Sequence, residues 1–289
     1  MRIDKLLAAK RPLVSFEFFP PRDEAGEVQL MNAIDELRPL QPDFVSITRT
    51  GGGTQPTLDL TARVQNELGF TGMAHLTCVG HTTEEMKEHL NCLWDKGIQN
   101  VLALRGDLPP GQAQIKAEDG GFCYGSDLTS FVRAQHDFCV GVAGYPEGHP
   151  QALNKTRDLE YLKLKVDSGA SFVITQLFFD NDDFYRWRDA AHGLGIDVPL
   201  VAGIMPILSV AQIKRFVMMC GAKIPHVLLL KLESLEADPM AVHAAGVEHA
   251  RAQCEDLIRN GVEGLHFYTL NRSKATVLIS QQLRENGVL

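Results

Sequence analysis

Short apolar runs recur along the chain, separated by stretches whose apolar positions fall three and four residues apart. Residues 13–19, 44–48, 73–78, 101–104, 140–143, 172–175, 199–204 and 264–268 have the length and the β-branched or aromatic content of strands buried on both faces. The intervening stretches have the period of helices. In 26–37 the apolar positions are Val28, Met31, Ile34 and Leu37, and similar spacing marks 57–68, 83–97, 154–168, 181–193 and 209–220. A further helix starts near Ser126 and a last one near Arg272. A longer insert, 225–260, carries a clear helix start, with Asp238 as N-cap and Pro239 at the first helical position. Eight buried strands alternating with helices, without a break in composition, predict one (β/α)8 barrel over residues 1–289. A doubly wound sheet in two halves is the alternative, but no linker separates halves.

In such a barrel the carboxyl ends of the strands share one mouth, where ligands bind. The fourth run ends in Arg105-Gly106-Asp107, and a Gly- and Pro-rich connection continues to Gly125. A capped strand with a surface ion pair is the other reading of this stretch. Other strand ends are similarly equipped, with Glu17, Thr48, His75, Thr77, Tyr145, His149, Gln176, Tyr268 and Arg272. Glu17 lies between Phe16 and Phe18 and points opposite to them, because strand side chains alternate. An acid facing a barrel interior is expected to have a raised pKa, which suits a general acid; a buried salt bridge is the other reading. His75 by itself is an ordinary core or capping histidine.

Two helices carry a second polar face. In 154–168, Leu159, Leu162 and Val166 form the core stripe, while Asp158, Tyr161 and Lys165 line up beside it. That face is either solvated or a place for ribose hydroxyls and phosphates. In 209–220, Ile213, Val217 and Cys220 face the core, and Gln212 and Phe216 stack at i, i+4. An amide beside an aromatic ring suits a flat heterocycle with a polar edge, or is a partly covered surface Phe.

Composition narrows the class. The formal charge is −8 and the pI about 5.7, without a basic block, so nucleic acid and anionic membranes are not expected partners. Six scattered cysteines without a CxxC read as reduced thiols of a cytoplasmic protein. The first ten residues lack a signal-peptide core, and no apolar run approaches the roughly 18 residues of a membrane span. The ten histidines show no HExxH and no ligand spacing, so no metal site is expected. Gly51-Gly52-Gly53 is not GxGxxG, and GxSxG does not occur.

The motifs Ser15-Phe-Glu-Phe-Phe-Pro-Pro-Arg22, His75-Leu-Thr-Cys78, Leu104-Arg-Gly-Asp107, Tyr145-Pro-Glu-Gly-His-Pro150, Thr175-Gln-Leu-Phe-Phe-Asp180 and His266-Phe-Tyr-Thr-Leu-Asn-Arg272 resemble the methylenetetrahydrofolate reductase family in order and spacing. The resemblance covers the catalytic barrel, and control through the C-terminal domain of larger eukaryotic members is not expected. It implies non-covalent FAD at the barrel mouth and reduction of 5,10-methylenetetrahydrofolate to 5-methyltetrahydrofolate. NADH or NADPH would reduce the flavin, and the folate would then take the same place, a ping-pong order. By motif, Glu17 becomes the acid that helps open the folate ring to its iminium, and Asp107 lies near flavin and pterin. Gln176, Gln212, Phe216 and Arg272 would surround the folate. Thr48, His75, Arg105, Gly106, Asp107, Tyr124, Ala143, Tyr145, His149, Asp158, Tyr161 and Lys165 would hold FAD. A cytoplasmic homo-oligomer is implied.

Three positions depart from the family pattern. Arg49 stands where an aromatic residue is common, Gln151 where Glu follows the Tyr-Pro-Glu-Gly-His-Pro motif, and Leu164 where a basic residue is frequent. They bear on flavin affinity and nucleotide preference. Competing readings are a flavin-free reductase that passes hydride directly, a folate-binding barrel methyltransferase, and a non-catalytic subunit. The last is disfavoured because Glu17 and Asp107 are both present.

Overall fold

Strand alternation and helical periodicity resolve into the expected barrel. The computed structural model describes residues 1–10, 12–50, 53–107 and 120–289. Eight parallel strands close in sequence order: β1 (Leu13–Phe18), β2 (Phe44–Ile47), β3 (Gly72–Thr77), β4 (Asn100–Leu104), β5 (Cys139–Gly144), β6 (Phe172–Thr175), β7 (Leu200–Ile204) and β8 (Gly264–Tyr268). Each lies within one residue of its predicted range. Closure comes from β8 pairing with β1, which sets Ser15 opposite His266 and Glu17 opposite Tyr268. Gly51-Gly52, the Pro109-Pro110-Gly111 turn and most of the Gly106–Gly125 connection lie outside the described residues.

The surrounding helices are α2 (Glu24–Leu37), α3 (Gln55–Asn66), α4 (Thr83–Asp95), α5 (Gly125–Gln135), α6 (Lys155–Asp167), α7 (Asn181–Gly193), α8 (Val210–Cys220), α10 (Pro239–Arg259) and α11 (Lys274–Glu285). Asp238 caps α10 as expected, its Oδ1 accepting from the backbone N–H of Met240 at 3.0 Å and of Ala241 at 3.1 Å. None of the described helices is long and apolar enough to cross a membrane.

Two helices have no signature in the hydrophobic pattern: α1 (Ile3–Ala9) and α9 (His226–Ser234), the latter inside the insert. Helix α1 spans seven residues, too short to show a period, yet Ile3 and Leu7 are fully buried. They pack on Leu13, Phe44, Met73, Leu102 and Phe172, side chains that point into the barrel, so α1 closes its amino-terminal end. Asn100 fastens it. Its Oδ1 accepts from Ile3 N–H at 2.9 Å, and its Nδ2 donates to the carbonyls of Met1 at 3.0 Å and Gly72 at 3.1 Å.

The alternation of each strand divides the core in two. Outward residues such as Phe16, Val45, Leu76, Val101, Val140 and Phe267 pack on the helices. Inward residues form an apolar floor over α1, where the rings of Phe44 and Phe172 lie 6.4 Å apart. Above that floor the inward positions turn polar.

Candidate active site

The polar level of the interior is built by β1, β2, β3 and β8. Phe16 and Phe18 face outward, so Ser15 and Glu17 face inward; Leu265 and Phe267 do the same for His266 and Tyr268. His266 is completely buried and stacks on Phe44 at 5.8 Å with a 14° interplanar angle. Ser15 Oγ lies 2.8 Å from its Nδ1 and donates to the Leu265 carbonyl at 3.3 Å. When the ring carries its proton on Nε2, that nitrogen donates toward Glu17, and Nδ1 accepts from the Ser15 hydroxyl across the shorter of its two contacts. Glu17 Oε2 stands 3.5 Å from His266 Nε2 and 3.6 Å from His75 Nε2, and Ser46 Oγ is 3.4 Å from the same His266 nitrogen. One carboxyl therefore sits between two imidazoles at the top of the interior, its side chain still 19% exposed toward the mouth.

This arrangement corrects the expectation of a raised Glu17 pKa. Burial does push the carboxyl up, but the hydrogen bond with His266 and attraction to the His75 and His266 rings pull it down, leaving it below the ordinary value. The attraction to His75 belongs to its protonated form. Burial pushes that imidazole down to about 4, so near neutral pH the hydrogen bond to His266 is the stronger influence. The sequence places an acid in the interior but does not show that two histidines from β3 and β8 meet it there.

His75 carries its own consequence. It is 2% exposed, and neither ring nitrogen has a hydrogen-bond partner among the described residues. Its folded pKa of about 4 lies below the ordinary 6.5, so the unfolded chain binds the extra proton first. Stability is then full above pH 6.5 and falls as pH drops toward 4, by roughly 3 kcal/mol from this residue. His149, also pushed to about 4 by burial and then by Arg105 and Lys165, adds to the same window. The urea midpoint of the wild type should fall between pH 7 and pH 5, and His75→Gln should flatten that fall. An equal slope in both would place the acid sensitivity elsewhere.

A second group of residues gathers where β4, β5 and α6 meet the mouth. Gly106 leaves β4 at φ +86°, and a Cβ there would lie 3.1 Å from Thr77 Cβ, so the turn that presents Arg105 and Asp107 requires glycine. Arg105 donates from Nε to the Gly106 carbonyl at 3.3 Å and, among the described residues, has no carboxylate within 4.0 Å. Lys165 reaches back from α6 and donates to the Ala143 carbonyl at 2.5 Å. Burial pushes this ammonium down to about 8, opposed by Asp158 and assisted by Arg105. Burial raises the Asp158 carboxyl against the pull of Lys165 and of the His149 backbone N–H. Tyr145 and His149 meet edge to face at 4.7 Å, and burial pushes the Tyr145 hydroxyl up to about 12. Thr48 continues the β1–β2 ladder, its N–H donating to Phe18 at 2.9 Å. The Tyr124 carbonyl accepts from Cys78 Sγ at 3.3 Å at the start of α5.

Tyr161 does not join its predicted neighbours. It is half-exposed beneath the Arg157 guanidinium, 5.8 Å from its ring centre, and lines a cleft of about 330 Å³ with Leu164 and Leu194. Asp158 and Lys165 turn inward from the same helix.

The third group faces the mouth from β6, α8 and β8. The Gln176 N–H donates to Gly144 at 2.7 Å, and its Oε1 accepts from Leu177 N–H at 2.9 Å. Gln212 and Arg272 line one cleft of about 290 Å³ together with Leu208, Ser209, Ala211 and Arg215. Phe216 lies beside them, half-buried. Arg272 follows two consecutive left-handed residues, Leu270 at φ 53° and Asn271 at φ 54°. Asn271 holds this turn by accepting from Phe19 N–H at 3.0 Å and donating to the Phe19 carbonyl at 2.9 Å. The exits of β1 and β8 are thereby tied together.

His266, Ser15 and Ser46 were not singled out from the sequence, although the alternation that identified Glu17 applies equally to β8. Arg215 and Asn271 gave no such signal, because a solvent-side arginine and a loop asparagine are ordinary residues.

Residues 2–284 match the family described as methylenetetrahydrofolate reductase. The probable methylenetetrahydrofolate reductase (NADH) of Oryza sativa is 38% identical over 295 residues, covering 98% of this chain and 50% of its own length. This chain thus spans about half the length of the plant relatives it matches. The 5,10-methylenetetrahydrofolate reductase of Salmonella typhimurium is 39% identical over 272 residues, 93% of this chain and 90% of that protein. Among solved structures, an uncharacterized Clostridium thermocellum protein described as binding two copies of 5-methyl-5,6,7,8-tetrahydrofolic acid superposes with a TM-score of 0.66. It covers 99% of this chain and 100% of its own, and at 13% identity the likeness is one of fold. With the matched residues running through β1 to β8 and the motifs of all three groups, the chain belongs to the methylenetetrahydrofolate reductase family.

Proposed function

We propose that this chain reduces 5,10-methylenetetrahydrofolate to 5-methyltetrahydrofolate at the carboxyl-terminal mouth of the barrel, with NADH or NADPH as the hydride source. The observation that carries this reading is Glu17 Oε2 held between His75 Nε2 and His266 Nε2 beneath a mouth that offers unpaired cations. FAD fits the residues present. His75 keeps two unpartnered ring nitrogens, Arg105 and Lys165 have no carboxylate within 4.0 Å among the described residues, and Tyr145 and His149 offer ring surface. Phosphates suit the two cations, and Asp158 suits a ribose hydroxyl. Thr48, Gly106, Asp107, Tyr124 and Ala143 complete the proposed FAD contacts, while Tyr161 lines a separate cleft with Leu164 and Leu194. When bound, FAD supplies the hydride carrier that the nicotinamide donor and the folate use in turn.

The chain's own residues handle protons and charge. Glu17 delivers a proton to the folate nitrogen whose bond to the bridging methylene then breaks, leaving the electron pair on that nitrogen and an iminium on the other. Folate over the mouth removes water from the 19% of Glu17 still exposed, and that desolvation raises the carboxyl pKa from its low value in the open site. Asp107, on the rim after Gly106, places a negative charge near the cationic iminium. Gln176 meets the pterin edge, while Gln212, Phe216 and Arg272 hold the rest. The same proposal takes the cytoplasm as the compartment and a homo-oligomer as the assembly.

A visible spectrum of the purified protein tests the reading. A flavin band that bleaches with NADH under anaerobic conditions and returns with methylenetetrahydrofolate supports it. A protein that stays colourless after addition of FAD overturns the flavin step, and turnover without colour would favour direct hydride transfer.

A further inference from the structure

We infer that Glu147 is a positioning residue for the folate wall of the mouth. Its carboxyl ties the carboxyl-terminal end of α8, the helix that carries Gln212 and Phe216, to the loop that follows β5. The inference rests on the folate reading above and deepens it. Helix α8 is fixed unevenly. Its buried side chains are Val210 and Ile213, both at the amino-terminal end. Phe216, Val217 and Cys220 are only partly covered, and Met218 and Met219 are exposed. An element with few buried apolar contacts opens readily, so the second half of α8 needs another anchor.

The loop after β5 supplies that anchor at two points. Glu147 Oε1 accepts from the Lys223 N–H at 3.0 Å, just beyond the helix. Further along the same loop, Pro150 lies against Gly221, where an added Cβ would stand 2.7 Å from the Pro150 Cγ. Gly221 ends α8 at φ +75°, and its N–H donates to the Val217 carbonyl at 2.9 Å. Tyr145 and His149 belong to this loop as well. One short segment thereby joins the side of the mouth proposed for flavin to the side proposed for folate. Burial pushes the Glu147 carboxyl up, against the pull of the Lys223 N–H. Its Oε2 is also buried, without a hydrogen-bond partner among the described residues. A solvated surface acid would have neither property. Glu147 works here as a hydrogen-bond acceptor and not as a charge, so an amide can replace it.

The test uses the flavin-loaded enzyme. Glu147→Ala is expected to raise KM for methylenetetrahydrofolate about tenfold, the worth of one hydrogen bond, because substrate must then restore the seat of α8. Its kcat should stay within about twofold of wild type, since no group at the reacting atoms has changed. Amide hydrogen exchange, read by mass spectrometry, should quicken over 216–223 and stay unchanged in β1 and β8. Glu147→Gln keeps the acceptor and should return both readouts to within about twofold of wild type. Gly221→Ala presses on Pro150 across the same seam, and it should raise KM in a chain that keeps Glu147. Faster exchange with an unchanged KM overturns the inference, because the contact would then be structural only. A KM that Glu147→Gln fails to restore overturns it too, since the charge and not the acceptor would be at work. Absence of methylenetetrahydrofolate turnover in the wild type would overturn the folate reading, and the role of α8 with it. The exchange pattern separates that failure from the others, because it reports the tie between Glu147 and α8 without substrate.

Discussion

Glu17→Gln is expected to slow reduction of methylenetetrahydrofolate by about a thousandfold while reduction of the bound flavin by NADH stays within a few-fold of wild type. The amide matches the carboxyl in size and still reaches His266 Nε2, which lies 3.5 Å from Oε2, so the barrel interior keeps its packing. What it loses is the proton. Opening the folate ring needs a donor at the leaving nitrogen, whereas hydride transfer from nicotinamide needs none. Single-turnover absorbance, followed separately with NADH and with methylenetetrahydrofolate, reads the two halves independently. A parallel drop in both would remove Glu17 from the acid role and make it a structural member of the His75–Glu17–His266 set. The pH profile adds a second reading, because a general acid acts only when protonated, so substitution of the carboxyl should abolish the fall in rate at rising pH in the folate half alone.

A large loss of stability is expected from Gly203→Ala. Gly203 lies on β7, and an added Cβ would stand 2.2 Å from the Thr175 carbonyl oxygen and 2.8 Å from the Tyr268 hydroxyl. Neither neighbour is free to move. The Tyr268 hydroxyl donates to that same carbonyl at 2.6 Å, and Gly203 N–H donates to Thr175 Oγ1 at 2.9 Å. Relief requires β6 to separate from β7 or Tyr268 to leave its bond, so overpacking combines with a buried acceptor left unpaired. Together these amount to about 3 kcal/mol, a fall of roughly 6 °C or more in Tm. Gly193→Ala is the matching control, since nothing lies within 4 Å of its Cβ position at the end of α7. That variant should melt at or slightly above wild type, because alanine restricts the unfolded chain. Similar melting temperatures for the two variants would mean that the β6–β7 contact is softer than its distances indicate.

The two variants separate what local pattern conveys from what requires the closed barrel. Strands were legible because a parallel barrel buries both faces, so each strand reads as a short apolar run between helical periods. Glu17 was legible for a related reason: it interrupts such a run, and alternation sends it opposite to Phe16 and Phe18. Helix α1 was hidden because seven residues cannot display a period, and its burial depends on the open end of a barrel formed by later residues. Tyr161 was grouped with Asp158 and Lys165 by spacing and by family resemblance, neither of which gives the rotamer of a side chain.

The direction of the Glu17 pKa marks the boundary most clearly. Sequence by itself determined the barrel, the strand ends and the inward position of Glu17, because these follow from periodicity and from the alternation of side chains along a strand. Only the tertiary structure decided the electrostatics. His75 and His266 lie 58 and 249 residues from Glu17 along the chain, and they meet it only because β1 pairs with β8 on one side and β3 stands two strands away on the other. A pKa depends on charges and hydrogen bonds within a few ångströms, so it is set by closure of the sheet and not by neighbours in sequence. The meeting of Glu147 with Lys223 beyond the end of α8 has the same origin.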